Sequence, residues 1–314
     1  MKILIYGAGV IGSIFGGKLA LAGNNVTVLA RGKKFEKQKN DGIVLVNAKT
    51  QKVEHATVNV IDNLLPNDKY DYIMVVMQRT QVDDILSALS QNCSNNIVFV
   101  VNTASGYEKW VTAVGKERFM IGFPSAGGEY KEGKVYYFIG KGIQRAFQTT
   151  TFGECSCEKT RRVKTLIKLF NQAKIPSVFC KDMDSWQKTH VALVTSIANA
   201  LYGFNCDNFR LGHSYKDVKL MMIGIQEGRQ VLRKNGINPT PKKLLWLDLP
   251  AFVLAVFFSI FMRTTLAETT MTKHCAVAKP EMILLQQEFD ELIVKSGIGT
   301  PAIDKLKNNL YIIL

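Results

Sequence analysis

The sequence predicts an α/β domain followed by an all-α domain. Three observations carry that reading. Short apolar runs alternate with helical segments from residue 2 to about residue 180, the pattern of βαβ crossovers on a parallel sheet. After Asp182 the strand pattern stops. The length of 314 residues suits two ordinary domains. The expected division is 1–181 and 182–314.

Residues 2–6 read as a buried strand, and the glycines at 7, 9 and 12 open a helix to about Leu21. Val26–Leu29 is the second strand. Ile43–Val46 and Thr57–Val60 read as a strand pair around a polar turn. Tyr70–Met77, Ile97–Val101 and Phe119–Gly122 are further strands, with helices over Val82–Leu89 and from about Tyr107. Val135–Phe152 reads as short strands separated by glycines. Arg162–Gln172 is a helix and Ser177–Cys180 the last strand. Helices are then expected from Asp182 or Asp184 to Tyr202, over Asp217–Lys234 and Lys242–Met262, over Thr265–Ser296 with a break at Pro280, and over Pro301–Asn309.

Composition excludes several classes. With 47% hydrophobic and 21% charged residues, the chain is neither a disordered tail nor a coiled coil. Six cysteines form no C-x-x-C pair, and the closest two are Cys155 and Cys157. No metal site is expected from that spacing, and the reading is a reduced, cytoplasmic protein without a leader segment. Ala251–Met262 is apolar but shorter than the ~20 residues a membrane span needs. It reads as a core or subunit-interface helix, so no membrane partner is expected, and a homodimer through the helical domain has a ready face.

The net charge of +14 asks for an anionic partner. Residues 1–180 hold 24 basic and 14 acidic residues, against 16 and 12 in the remainder. One basic cluster, Lys159–Lys168, has apolar residues at helical spacing and reads as a solvated helix face. No aromatic-interleaved surface suggests nucleic acid. The other cluster, Arg31 to Lys39, stands where it can choose a cofactor.

Gly7-Ala8-Gly9-Val10-Ile11-Gly12 lies between a strand and a helix, the setting of a Rossmann-type dinucleotide fingerprint. The first glycine allows the turn, the second lets a pyrophosphate approach, and the third lets helix and strand pack closely. The helix N-terminus offers free N–H groups to phosphate. Where an acidic residue would select NAD(H), the second strand ends at Arg31, followed by Lys33 and Lys34. Cations there suit a 2′-phosphate, so NADP(H) is expected. Gln78 and Asn102, polar residues ending apolar strands, are further cofactor candidates or ordinary loop residues.

These motifs resemble the ketopantoate reductase (2-dehydropantoate 2-reductase) family. The likeness rests on the glycine fingerprint, Leu29-Ala30-Arg31, the Asn102 loop, Trp186-Gln187-Lys188, and Lys279-Pro280-Glu281 fifteen residues before Ser296-Gly-Ile. It covers nearly the whole chain and implies NADPH-dependent reduction of a small 2-keto acid. It gives Lys188 the role of proton donor to the keto oxygen. Glu281 becomes a second catalytic group touching the cofactor side and the catalytic Lys188, Asn102 a contact to nicotinamide and substrate, and Gly128 a looser backbone contact to the cofactor. Gln78 stands where the family commonly has lysine. Two family asparagines that hold the substrate correspond to Ala192 and Ser196, on the helix face of Lys188 and Asn199. Thr269 or Thr270 matches the family's carboxylate-binding serine. His190 lies off the Lys188 face, and His274 is a weaker candidate for the site. Two other readings stay open. One is an opine-type dehydrogenase, which shares the two-domain layout. The other is an NADP(H)-binding sensor or interaction protein without catalysis, prompted by Ala192 and Ser196.

Overall fold

A computed structural model describes residues 1–140 and 149–311. The chain forms two compact units: Met1–Val101 with Tyr107–Met183, and Asn102–Gly106 with Asp184–Leu314. The main crossing thus falls at Met183/Asp184. The short excursion at Asn102–Gly106 has no signature in the sequence.

The first unit contains β1 (Lys2–Tyr6), α1 (Val10–Leu21), β2 (Asn25–Leu29), α2 (Lys33–Asp41), β3 (Ile43–Asn47), β4 (Val53–Ala56), β5 (Asn59–Ile61) and β6 (Tyr72–Val75). It continues with α3 (Leu86–Gln91), β7 (Ile97–Val100), α4 (Glu108–Val114), β8 (Phe119–Phe123), β9 (Ala126–Lys131), β10 (Lys134–Ile139), β11 (Thr150–Gly153), α5 (Arg161–Gln172) and β12 (Ser177–Phe179). Eight strands make one sheet in the order β12-β11-β8-β7-β6-β1-β2-β5. From β8 to β5 all pairings are parallel, and β11 reverses direction against β8. The central strands β6 and β7 are buried along their whole length. That is why they read as unbroken apolar runs rather than alternating ones. The strand order reverses between β1 and β6, so the carboxyl ends of those strands mark the topological switch point.

A second sheet, β4-β3-β10-β9, packs on the other side of α1. Gly16 faces Ile5 and Val28 of the large sheet, and Gly17 faces Ile43 and Leu45 of the small one. A helix between two sheets has little room for side chains. Lys18 on the same helix is nearly buried and is neutralised by Glu54 at 2.5 Å, which also accepts from the Tyr137 hydroxyl.

The expected pairing of Ile43–Val46 with Thr57–Val60 is corrected. β3 forms its hairpin with β4, around the polar turn 48–52. β5 instead extends the large sheet beside β2. Both strands are short and partly exposed, and their periodicity alone left the partner open. Of the short strands expected across Val135–Phe152, residues 141–148 lie outside the described residues. On α5, Val163, Leu166, Leu169 and Phe170 are buried while Lys164 and Lys168 are exposed, so that part of the basic cluster lies on a solvated face. Arg162, by contrast, is half-buried and donates to Glu154 and to the Phe119 carbonyl.

The second unit contains α6 (Met183–Tyr202), α7 (Asn208–His213), α8 (Tyr215–Lys234), α9 (Ala251–Met262), α10 (Lys279–Ser296) and α11 (Pro301–Lys307). Its core includes Val191, Met221, Met222, Ile225, Leu285 and Phe289. Two expected long helices are broken. Lys242–Asp248 is a 3₁₀ segment that meets α9 at a 109° bend. Pro250 at the start of α9 explains the bend, since proline cannot donate to a preceding turn. Residues 265–277 divide into Thr265–Ala267, a π-helical stretch Glu268–Thr272, and Lys273–Val277. Helix α9 buries Leu254, Ala255, Ser259 and Met262 and exposes Phe252, Val256, Phe257 and Ile260. No single helix among the described residues is long and apolar enough to cross a membrane.

Candidate active site

The first unit presents a cradle made of backbone. Val76 N donates to the Tyr6 carbonyl, locking the ends of β1 and β6 together. Gly7 follows with φ +127°, and a Cβ there would overlap the Val76 carbonyl oxygen. A Cβ at Gly12 would overlap the Gly7 carbonyl oxygen. Gly9, the N-cap of α1, is different: a Cβ there meets nothing within 4 Å among the described residues. Ser13 N closes the first turn on the Gly9 carbonyl at 2.9 Å. The N–H groups of Val10, Ile11 and Gly12 come too early in the helix for an intrahelical acceptor. No side chain caps this end and no acidic residue sits in its first turn. A helix end with positive dipole, free N–H groups and an open glycine fits a pyrophosphate. Ala8 packs into the core beneath it.

Arg31 stands two residues beyond β2, after Ala30 has donated to the Ile61 carbonyl. It lines an open groove of about 490 Å³ with Gly32, Phe35, Glu36 and Asp62. Lys33 starts α2 and is exposed, whereas the Lys34 ammonium lies 5.4 Å over the Tyr130 ring. The three cations are therefore not equivalent. Sequence reasoning also missed that Glu36 and Asp62 share the groove, which offsets part of the local positive charge.

Gln78 follows β6, with extended backbone, and caps the 3₁₀ turn Arg79–Gln81. It lies beyond the carboxyl end of β6, at the switch point. Its neighbour Arg79 lies over the Trp110 ring at 5.3 Å and pairs with Asp83 at 3.5 Å. Gly128 lies in β9 opposite Tyr137, and a Cβ there would overlap the Tyr136 carbonyl oxygen. Strand packing alone accounts for that glycine.

In the second unit, Lys188 sits in the second turn of α6, its side chain mostly buried. Its ammonium donates to Asp184 at 2.5 Å. The carboxylate bonded to Lys188 is thus one helical turn earlier, and sequence reasoning missed it. An i, i+4 spacing was the available signal. Glu281 lies in the first turn of α10 and is buried. His190 stacks on Trp186 at 5.6 Å, away from Lys188 in helical phase. Burial, with His274 nearby, pulls its imidazole down to about 4.

Ala192 and Ser196 are both buried in a helix seam. A Cβ on Gly228 of α8 would lie 3.1 Å from the Ala192 Cβ, and one on Gly224 would lie 3.2 Å from the Ser196 hydroxyl. The Ser196 hydroxyl donates to the Ala192 carbonyl at 3.3 Å. The expectation of Ser196 as a substrate contact meets a side chain packed between helices with its proton already used. Asn199, on the same face, donates to Gln286 at 2.9 Å. Thr269 lies in the π-helical stretch, half-exposed, its hydroxyl donating to the Thr265 carbonyl. Such stretches recur at functional sites.

Asn102 belongs to the helical unit. Its Oδ1 is buried and has no hydrogen-bond partner among the described residues. The following residues are firmly held: the Thr103 hydroxyl and the Ala104 and Ser105 N–H groups all donate to Glu288 Oε2, at 2.9, 2.7 and 3.4 Å. Gly106, with φ +82°, comes within van der Waals range of Asp184, 3.7 Å from a built Cβ. The structure therefore brings the Asn102 loop next to the partner of Lys188.

Comparison with known proteins agrees with this layout. Residues 3–154 match the family described as ketopantoate reductase PanE/ApbA. A 2-dehydropantoate 2-reductase of Pyrococcus horikoshii is 25% identical over 248 residues, 78% of either chain. Among solved structures, a 2-dehydropantoate 2-reductase of Geobacter metallireducens superposes with TM-score 0.80 at 17% identity, over 99% of both chains. A D-mandelate dehydrogenase with NADH and anilino(oxo)acetate superposes with TM-score 0.79 at 17% identity, over 99% of this chain and 97% of that one. The N-terminal part of the chain thus matches the ketopantoate reductase family, and curated 2-dehydropantoate 2-reductases align with about three quarters of it at 25–26% identity.

Proposed function

We propose that the chain is an NADPH-dependent reductase of a small 2-keto acid. The observation that carries this is the backbone cradle, in which Gly7 and Gly12 are fully packed while Gly9 faces open space. A bound nicotinamide would supply the hydride. Val10, Ile11 and Gly12 offer N–H groups to the pyrophosphate, and Arg31, with Lys33 beside it, favours a 2′-phosphate. Gln78 and Asn102 are further contacts on the cofactor side.

Lys188 carries the proton chemistry in this reading. Hydride arrival leaves negative charge on the carbonyl oxygen, and an ammonium can stabilise it and hand over a proton. Asp184 accepts from the Lys188 ammonium and orients it. Glu281 and Thr269 are the remaining polar groups of this reading, for the cofactor side and the substrate carboxylate. The chain works in the cytoplasm, as a homodimer through the exposed face of α9.

The seam at Ala192 and Ser196 favours a second reading, a cofactor-binding protein without turnover, because two positions that hold substrate in the family are closed here. NADPH and NADH oxidation should be followed with ketopantoate, branched and aryl 2-keto acids, each with and without added amines. Keto-acid-dependent oxidation of NADPH in preference to NADH is expected. Amine-dependent turnover would point to opine-type coupling. Folded protein that binds NADPH but oxidises it with no acceptor would leave the non-catalytic reading.

A further inference from the structure

We propose that Glu288 is the positioning residue for Asn102, so that the site's asparagine is set from α10 and not by its own loop. The inference rests on the reductase reading for its catalytic consequence, though the clamp itself does not. Thr103-Ala104-Ser105-Gly106 has small side chains and no helix or strand to fix it. Its backbone N–H groups need acceptors. Glu288 is 4% exposed, and a buried carboxylate is costly unless donors surround it. Here one oxygen accepts from the Thr103 hydroxyl and the Ala104 N–H, and at longer range from the Ser105 N–H, which it shares with the Thr103 hydroxyl oxygen. Charge-assisted bonds of this kind are stronger than neutral ones.

Two further observations give the clamp a purpose. Asn102, immediately before the clamped residues, keeps a buried Oδ1 with no hydrogen-bond partner among the described residues. A buried acceptor left unmade is unfavourable, so a site that holds one in place suits a ligand that donates to it. Glu288 also lies seven residues, two helical turns, after Glu281. The two glutamates therefore share a face of α10. One helix face then presents the family's glutamate and fixes the loop that carries the asparagine.

The test combines a double-mutant cycle with hydrogen exchange. Glu288→Gln should speed exchange at Ala104 and Ser105 by roughly tenfold, since a neutral acceptor replaces a charged one. It should lower kcat by a similar factor with KM for NADPH nearly unchanged. In an Asn102→Ala background the same change should add less than about twofold, the non-additivity expected of residues acting through one another. Full multiplicative effects in the cycle would overturn the proposal, as would unchanged exchange at 104–105. If Glu288→Gln does not fold, Thr103→Val removes one donor only and the same cycle is run with it. If the wild-type protein turns over no keto acid, the reductase reading fails on its own. Exchange in Glu288→Gln, with and without NADP⁺, then decides the clamp: NADP⁺ should slow exchange at 102–106 in wild type and less so in the variant, and an equal effect in both would overturn it.

Discussion

Glycines do opposite jobs in the two units. Gly7 and Gly12 press β1, β6 and α1 together, while Gly9 between them faces open space among the described residues. Gly224 and Gly228 press α8 onto α6 at Ser196 and Ala192 and leave no space. The first pair clears ground for a ligand; the second fills the ground with another helix. Close approach is a single physical device, and what it achieves depends on what lies beyond the glycine.

The sharpest way to break this comparison is at the residue the helical unit keeps polar. Lys188→Ala should lower kcat by about 10²–10⁴-fold, the usual worth of a positioned proton donor. NADPH affinity, read by fluorescence titration, should stay within about twofold, because the cradle is backbone of the other unit. A parallel loss of affinity would show that Lys188 serves binding.

Alanine at three glycines tests the device directly. Gly12→Ala collides with backbone and should cost about 1–3 kcal/mol along with cofactor binding. Gly228→Ala should cost a similar amount by pushing α8 from α6, with NADPH affinity unchanged. Gly9→Ala meets no protein atom, so thermal unfolding should move by less than about 1 kcal/mol, the scale of an N-cap change, while affinity falls at least about tenfold. Equal affinity in Gly9→Ala would remove the cradle reading.

The smallest effect concerns charge buried in the helical unit. Arg229 is fully buried and forms two 2.9 Å bonds to Asp248, which Arg233 also reaches. The Arg229 bonds, with those of Arg233, outweigh burial and hold the Asp248 carboxyl below its ordinary range. The folded form therefore binds that proton less readily than the unfolded chain. The resulting stability is present above the ordinary aspartate range and is lost as pH falls through the depressed value. Asp248 is about a third exposed, so solvent discounts the pair. Asp248→Asn should cost about 1–2 kcal/mol at neutral pH, measured by denaturant unfolding, and less in acid. A loss that grew in acid would contradict this.

Much of the first unit was legible because its function is written in backbone. A glycine at position 7 or 12 is demanded locally, and the strand before and helix after it are periodic. Arg31 was legible by its place after β2, yet Glu36 and Asp62 were not, since they meet it only once α2 and β5 are in place. In the helical unit, spacing put Lys188, Ala192, Ser196 and Asn199 on one face, but no spacing rule says which part of a face is covered. Gly224 and Gly228 decide that from 28 and 36 residues away along the chain. The hairpin partner of β3 was misassigned for the same reason, as short strands choose partners by tertiary contact. Asp184 was within reach of sequence reasoning through its i, i+4 relation to Lys188. Glu288 was not, because its partners lie more than 180 residues earlier.

The excursion at Asn102–Gly106 has a consequence for how the chain can be divided. A polypeptide beginning at Asp184 would carry the helices of the second unit, α6 short of its first residue, yet it would lack the three donors on Glu288. Its interior would expose a carboxylate to an apolar core with those bonds unmade. The helical unit is contiguous in space but not in sequence, so it is not a separable module. Gene fusion, truncation or permutation at 183/184 would therefore split a folding unit that includes a five-residue piece of the other half.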